Sequence, residues 1–169
     1  MTLAQLNAAD RAAFIDAVGS VFEHSPWIAA AAWERRPFRT LAGLHARMAT
    51  IVEEAPLKRR LDLIAVHPEL AGRMARGTRL TAASREEQAS AGLERLTRDE
   101  LARLEQLNRA YRKRFGFPFV ICARRQDKYS IFAALERRLR NDREAEIAIA
   151  LNEIAKIARL RLQQILEAS

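Results

Sequence analysis

From Thr40 onward the chain places Leu41, Leu44, Met48, Ile51 and Val52 at helical spacing, one apolar face on an otherwise polar stretch. Similar stretches follow along the chain, separated by recognisable starts and stops. Asn7 is placed to cap a helix running from about residue 8 to residue 22. Ser25-Pro26 reads as a cap followed by proline at the first helical position, and Pro37 closes that helix near Arg35. Pro56 opens another helix, with Leu57, Leu61 and Ile64 inward. His67-Pro68 then interrupts it. The residue before a proline is pushed out of the α region, so His67 is expected at a helix end. Residues 71–80, with Gly72 and Gly77, have no clean period and read as an irregular connector. Ser84 and Thr97 each begin a Ser/Thr-x-x-Glu capping box, completed by Glu87 and Glu100. The second box opens a long helix to about Arg114. Phe115 to Cys122 breaks the helical pattern and looks extended, and two more helices follow over roughly 128–140 and 142–167. The pattern predicts an all-α fold, a single compact domain over residues 1–169 with about eight or nine helices and one extended segment near 117–123.

Composition fits that reading. Half of the 169 residues are apolar (49%), enough for a core, and glycine and proline are scarce at 6 and 5. Such a mix favours helices over a sandwich or barrel. The formal charge of +8 raises the question of nucleic acid. The basic residues, however, are spread along helices and interleaved with acids, as in Arg95-Leu96-Thr97-Arg98-Asp99-Glu100. The aromatics form no base-stacking row. A solvated basic surface that also attracts small anions fits this distribution better, and the alternatives are a basic helical nucleic-acid-binding module or a catalytically inactive scaffold of the same fold. One cysteine, Cys122, excludes an internal disulfide framework, and His24, His45 and His67 show no metal-ligand spacing. No basic and apolar leader and no membrane-length apolar run is seen, so a reduced, cytoplasmic protein is expected.

Four places carry chemistry. His67 can act as a general acid or base because imidazole titrates near neutrality, or it can be a satisfied capping histidine. Glu87 is explained by the Ser84 box alone. It also lies at a helix start whose N–H groups favour an anion, so Ser84 to Gln88 can be a cap, an anion site or both. In the last helix Ile147, Ala150, Leu151, Ile154, Ala158, Leu162 and Ile165 define one apolar face. Arg161 falls about 40° from its centre at about 100° per residue. A core-facing arginine needs a partner: an internal salt bridge, a path to the rim, or an anion such as a carboxylate. The Phe117–Cys122 segment is either a buried apolar crossover or a strip of backbone groups open to an amide-rich ligand. Cys122 has no companion at a spacing that marks a nucleophile. Trp27 and Trp33 are expected in the core.

Taken in order, Phe22-Glu23-His24-Ser25-Pro26-Trp27, Arg36-Pro37-Phe38, His67-Pro68-Glu69-Leu70, Ser84-Arg85-Glu86-Glu87-Gln88 with Ala91-Gly92-Leu93, Leu107-Asn108 with Tyr111, Phe115-Gly116-Phe117-Pro118-Phe119-Val120-Ile121 and Arg161-Leu162 form a pattern covering nearly the whole chain. It resembles the OHCU decarboxylases, which act on 2-oxo-4-hydroxy-4-carboxy-5-ureidoimidazoline. Val66 and Arg124-Arg125 depart from that pattern. The resemblance implies an all-α homodimer, with no metal or organic cofactor, that converts a small anionic substrate to S-allantoin in urate degradation. It further implies that His67 is the catalytic histidine and Glu87 its assisting carboxylate. Pro68, Ser84, Arg85, Glu86 and Gln88 would contact substrate, as would Phe119, Val120, Ile121, Cys122 and Ala123, and Arg161 would be a basic residue of the pocket. No nucleic acid or membrane partner is expected, and functional coupling to the upstream hydroxyisourate hydrolase is.

Overall fold

The computed structural model describes residues 1–71 and 81–167, and among these no residue lies in a strand. Nine α-helices and two 3₁₀ turns make up the regular structure of the described residues. Of the expected connector, 72–80 lie outside the described residues. Contacts divide the chain into two compact units, Met1–Val66 with Ile154–Ser169, and His67–Glu153.

The first unit holds α1 (Leu3–Ala8), α2 (Arg11–Val18), α3 (Trp27–Trp33), α4 (Leu41–Glu54), α5 (Leu57–Ala65) and the later part of α9 (Arg143–Glu167). α4 follows its pattern: Thr40 accepts from the Gly43 amide at 3.0 Å, and Leu44, Met48 and Val52 are buried. Two expected caps are absent. In place of the helix expected over 8–22 stands the shorter α2, capped by Asp10 and ending at Val18, and α1, capped by Thr2, precedes it. Asn7 instead pairs both ends of its amide with the Phe38 backbone, at 2.8 Å each. Ser25 donates to the Glu23 carbonyl, and Pro26 stands at the N-cap position of α3 without a side-chain cap. In both cases the polar side chain meets a stronger demand from a non-helical carbonyl or amide nearby in the fold. Leu57, expected inward, is 48% exposed, while Leu63 and Ile64 carry the buried face of α5. Trp33 and Trp27 are half-buried and not core; the Arg36 and Arg59 guanidinium carbons lie 4.1 Å and 4.8 Å from their ring centroids.

The second unit holds α6 (Ala82–Ser90), a 3₁₀ turn at Leu93–Arg95, α7 (Arg98–Phe115), a second at Ala123–Arg125, α8 (Lys128–Arg138) and the start of α9. The Thr97–Glu100 box forms as expected, its two bonds at 3.0 and 3.1 Å. These bonds, with the Lys128 ammonium beside it, hold the Glu100 carboxyl below its usual range. α7 ends at Gly116, whose φ of 81° is the left-handed conformation that glycine adopts without steric cost. Residues 117–122 run without regular structure, so the expected non-helical segment is present, but Ala123 already belongs to the 3₁₀ turn. Its aromatic residues pack on α7: Tyr111 lies 4.6 Å from Phe115, 6.1 Å from Phe117 and 5.3 Å from Phe119, ring centre to ring centre. No described helix is long and apolar enough to cross a membrane.

Candidate active site

α5 ends at Ala65 with Val66 as its C-cap, and His67 is the next residue. The proline after it cannot continue the helix, so the imidazole sits at the start of a loop, as its sequence context predicts. His67 is buried, with 6% of its surface exposed. Three groups from neighbouring helices hold the loop that follows. The Gln88 amide of α6 accepts from the Ala71 N–H at 3.0 Å and donates to the Glu69 carbonyl at 3.4 Å. Asn108 of α7 donates to the Leu70 carbonyl at 3.0 Å. Arg112, one turn further on, pairs with the Glu69 carboxylate at 2.8 Å.

The helix start beside this loop differs from the expected one. Thr81, not Ser84, is the N-cap of α6; its hydroxyl oxygen accepts from the Ser84 amide at 3.2 Å. Ser84 is therefore a third helical residue and Glu87 lies in the second turn. The capping explanation for Glu87 falls, and Glu87 is a buried carboxylate, 7% exposed, on the same face as Ser84 and Gln88. The shift of one turn also moves the N–H groups that have no acceptor within the helix. They fall on Ala82 and Ala83, whereas the Arg85 amide donates within the helix to the Thr81 carbonyl. Arg85 and Glu86 turn their side chains to solvent, and Glu86 pairs with Arg124 at 3.0 Å. That ion pair links α6 to the Ala123–Arg125 turn and so to the end of the 117–122 segment.

Phe119, Val120, Ile121, Cys122 and Ala123 are all buried. Part of their backbone is already committed. Arg138 of α8 donates to the Val120 carbonyl at 2.8 Å and lies 4.3 Å from the Phe119 ring centre. Its other contact is the buried Glu146 carboxylate, at 2.5 Å, which Tyr111 and Asn141 also reach. This network was not foreseen. Its sequence signal was the position of Arg138, which shares the helix face of Ile131, Ala134 and Leu135.

The second unit thus brings together His67, the loop from Pro68, the Ser84–Glu87–Gln88 face and the approach to the 117–123 segment. Arg161 belongs to the first unit and points inward there, with 5% exposure. Its Nη1 donates to Glu23 at 2.8 Å, with the Ser20 and Val21 carbonyls at 3.4 Å. Of the alternatives for a core-facing arginine, the internal ion pair is present. Glu23 is its partner, 138 residues away. Among the described residues no group of three or more His, Cys, Asp or Glu is gathered as a metal ion would need.

The family model described as OHCU decarboxylase matches residues 7–163, running across both units. The chain belongs to the OHCU decarboxylase family. It is 41% identical over 165 residues to the 2-oxo-4-hydroxy-4-carboxy-5-ureidoimidazoline decarboxylase of Halalkalicoccus jeotgali, covering 98% of this chain and 92% of that protein. It is 42% identical to the uric acid degradation bifunctional protein of Bacillus sp. (strain TB-90), covering 98% of this chain but 32% of that protein. Among solved structures, the crystal structure of an (S)-allantoin synthase superposes with a TM-score of 0.80 at 29% identity, over 98% of this chain. The chain spans about half, 54%, of that longer protein. The expected fold class and family are therefore those observed.

Proposed function

We propose that this chain removes the carboxylate of 2-oxo-4-hydroxy-4-carboxy-5-ureidoimidazoline as CO₂ and releases S-allantoin, a carboxy-lyase of urate degradation, with residues 1–169 as one decarboxylase domain. Supporting this is family membership over 7–163, together with a buried imidazole and a buried carboxylate on adjoining elements of the second unit.

The carboxylate and a hydroxyl share one ring carbon of the substrate, and a ring C=N lies beside it. When the C–CO₂⁻ bond breaks, its electron pair moves toward that C=N, which takes up a proton. The hydroxyl-bearing carbon then becomes a carbonyl, losing its O–H proton, as the neighbouring carbon gains one. The balance is one CO₂ released and one proton taken up. The substrate supplies its own electron sink, so the protein must align the breaking bond with the ring π system and deliver a proton to one face. We assign the proton handling to His67, with Glu87 orienting or polarising it. Ser84, Gln88, Pro68 and the backbone of 119–123 are assigned to the substrate, and so are the backbones of Arg85 and Glu86, whose side chains face solvent. The family resemblance makes Arg161 an anion-binding residue as well. Too firm a grip on the carboxylate would stabilise the ground state and not speed the reaction, so Arg161 should matter more for KM than for kcat.

The test is CO₂ release and S-allantoin formation on urate fed through the two upstream activities, because the substrate is unstable. Product no faster and no more enantiopure than without the chain would reject the proposal. Glu87→Gln is expected to lower kcat at least tenfold with little change in melting temperature, since Glu87 caps no helix. The reverse result would make Glu87 structural. We also propose a cytoplasmic homodimer. Functional coupling to the upstream hydrolase is supported by a relative named as a bifunctional uric acid degradation protein.

A further inference from the structure

The loop after His67 is held at a strained conformation by two side-chain amides. Ala71 has φ 43°, a left-handed backbone that residues other than glycine rarely adopt. Such a conformation persists only where the surroundings impose it. The surroundings here are Gln88, with both ends of its amide on the Glu69 and Ala71 backbone, and Asn108, bonded to the carbonyl between them. Three successive residues, starting two positions after the imidazole, are thereby fixed to α6 and α7. Gln88 is also the immediate neighbour of Glu87. The same turn of α6 that carries the carboxylate therefore carries the group that clamps the histidine's loop. Asn108 is 5% exposed, and its Oδ1 has no hydrogen-bond partner among the described residues. A buried amide with an unmatched acceptor is a poor choice for stability alone.

We infer that Asn108 and Gln88 are positioning residues for the decarboxylation: they lock the loop after His67 in its left-handed turn and so set the imidazole relative to Glu87. The inference rests on the proposed role of His67, and its test separates the two. Asn108→Leu keeps the branched shape and the number of heavy atoms, though it is bulkier, and removes the donor. Misplacement of a reacting group by about 1 Å can reduce rate about 100-fold. Asn108→Leu is accordingly expected to lower kcat by about 10- to 100-fold, to leave KM within about twofold, and to shift or broaden the His67 ring signals in NMR of histidine-labelled protein. His67→Asn assigns those signals by their disappearance. Asn108→Ser, too short to reach the loop, is the second variant should the leucine protein not fold. Full kcat with unmoved ring signals in a folded Asn108 variant overturns the clamp while leaving His67 intact. So does a loss that appears only in KM. A His67→Asn protein with the parent rate would instead overturn the catalytic reading beneath it.

Discussion

His67→Asn is expected to fold as the parent does and to lose about 10²- to 10⁴-fold in rate, the usual share of a positioned general acid or base. That corresponds to about 3 to 5 kcal/mol of transition-state stabilisation. Folding should survive because groups other than the imidazole hold the loop. Pro68 ends the helix, and Gln88, Asn108 and Arg112 fix the residues that follow. Asparagine keeps a polar group of similar reach in a site that is 6% exposed, so no apolar cavity opens. What it cannot do is change protonation state near neutral pH. Any remaining decarboxylation would then take its proton from solvent, which can approach either ring face. The variant should therefore lose enantiomeric excess as well as rate. Chiral analysis of the allantoin formed, alongside CO₂ release, measures both. A variant that gave S-allantoin at the parent rate would remove His67 from the chemistry.

The sequence was most informative where hydrogen bonds close within four residues. Thr40 and Gly43, Thr97 and Glu100, and the break at His67-Pro68 are local events, decided by residue types a few positions apart. The inward direction of Arg161 was legible for the same reason, since it follows from helical period alone. Its partner was not, because Glu23 is 138 residues away and nothing in either local pattern points to the other. Asn7 failed as a cap for a related reason: Phe38, 31 residues on, presents an amide and a carbonyl that the asparagine matches at once. The error at Ser84 was of another kind. Thr81-x-x-Ser84 and Ser84-x-x-Glu87 are competing local signals one turn apart, and the pattern does not rank them. That one-turn shift mattered most for function, since it removed the capping explanation of Glu87.

The largest expected loss of stability comes from breaking the Arg138–Glu146 pair. Both residues are buried, with 4% and 0% exposure. Glu146 accepts from Arg138 and Tyr111 at 2.5 Å each and from Asn141 at 3.0 Å, while Arg138 also holds the Val120 carbonyl. Burial and the neighbouring Glu146 carboxylate push the Tyr111 phenol well above its usual range, so it remains a proton donor at any working pH. Arg138→Met removes the only cation in this set and leaves a carboxylate in a site with no access to water. Removing one partner of a buried ion pair costs about 3–5 kcal/mol, against a total stability of about 5–15. At about 2–4 °C per kcal/mol for a chain of this size, melting should fall by roughly 6–20 °C. Arg138→Met/Glu146→Gln should recover part of that loss, because an unpaired amide is far cheaper to bury than an unpaired charge, and Tyr111 and Asn141 can still donate to it. A single variant within about 1 kcal/mol of the parent in urea unfolding, or a double variant worse than the single, would contradict the pairing. The same substitution releases the Val120 carbonyl, within the segment proposed to meet substrate. Activity measured well below the melting point should therefore show a raised KM even where folding is complete.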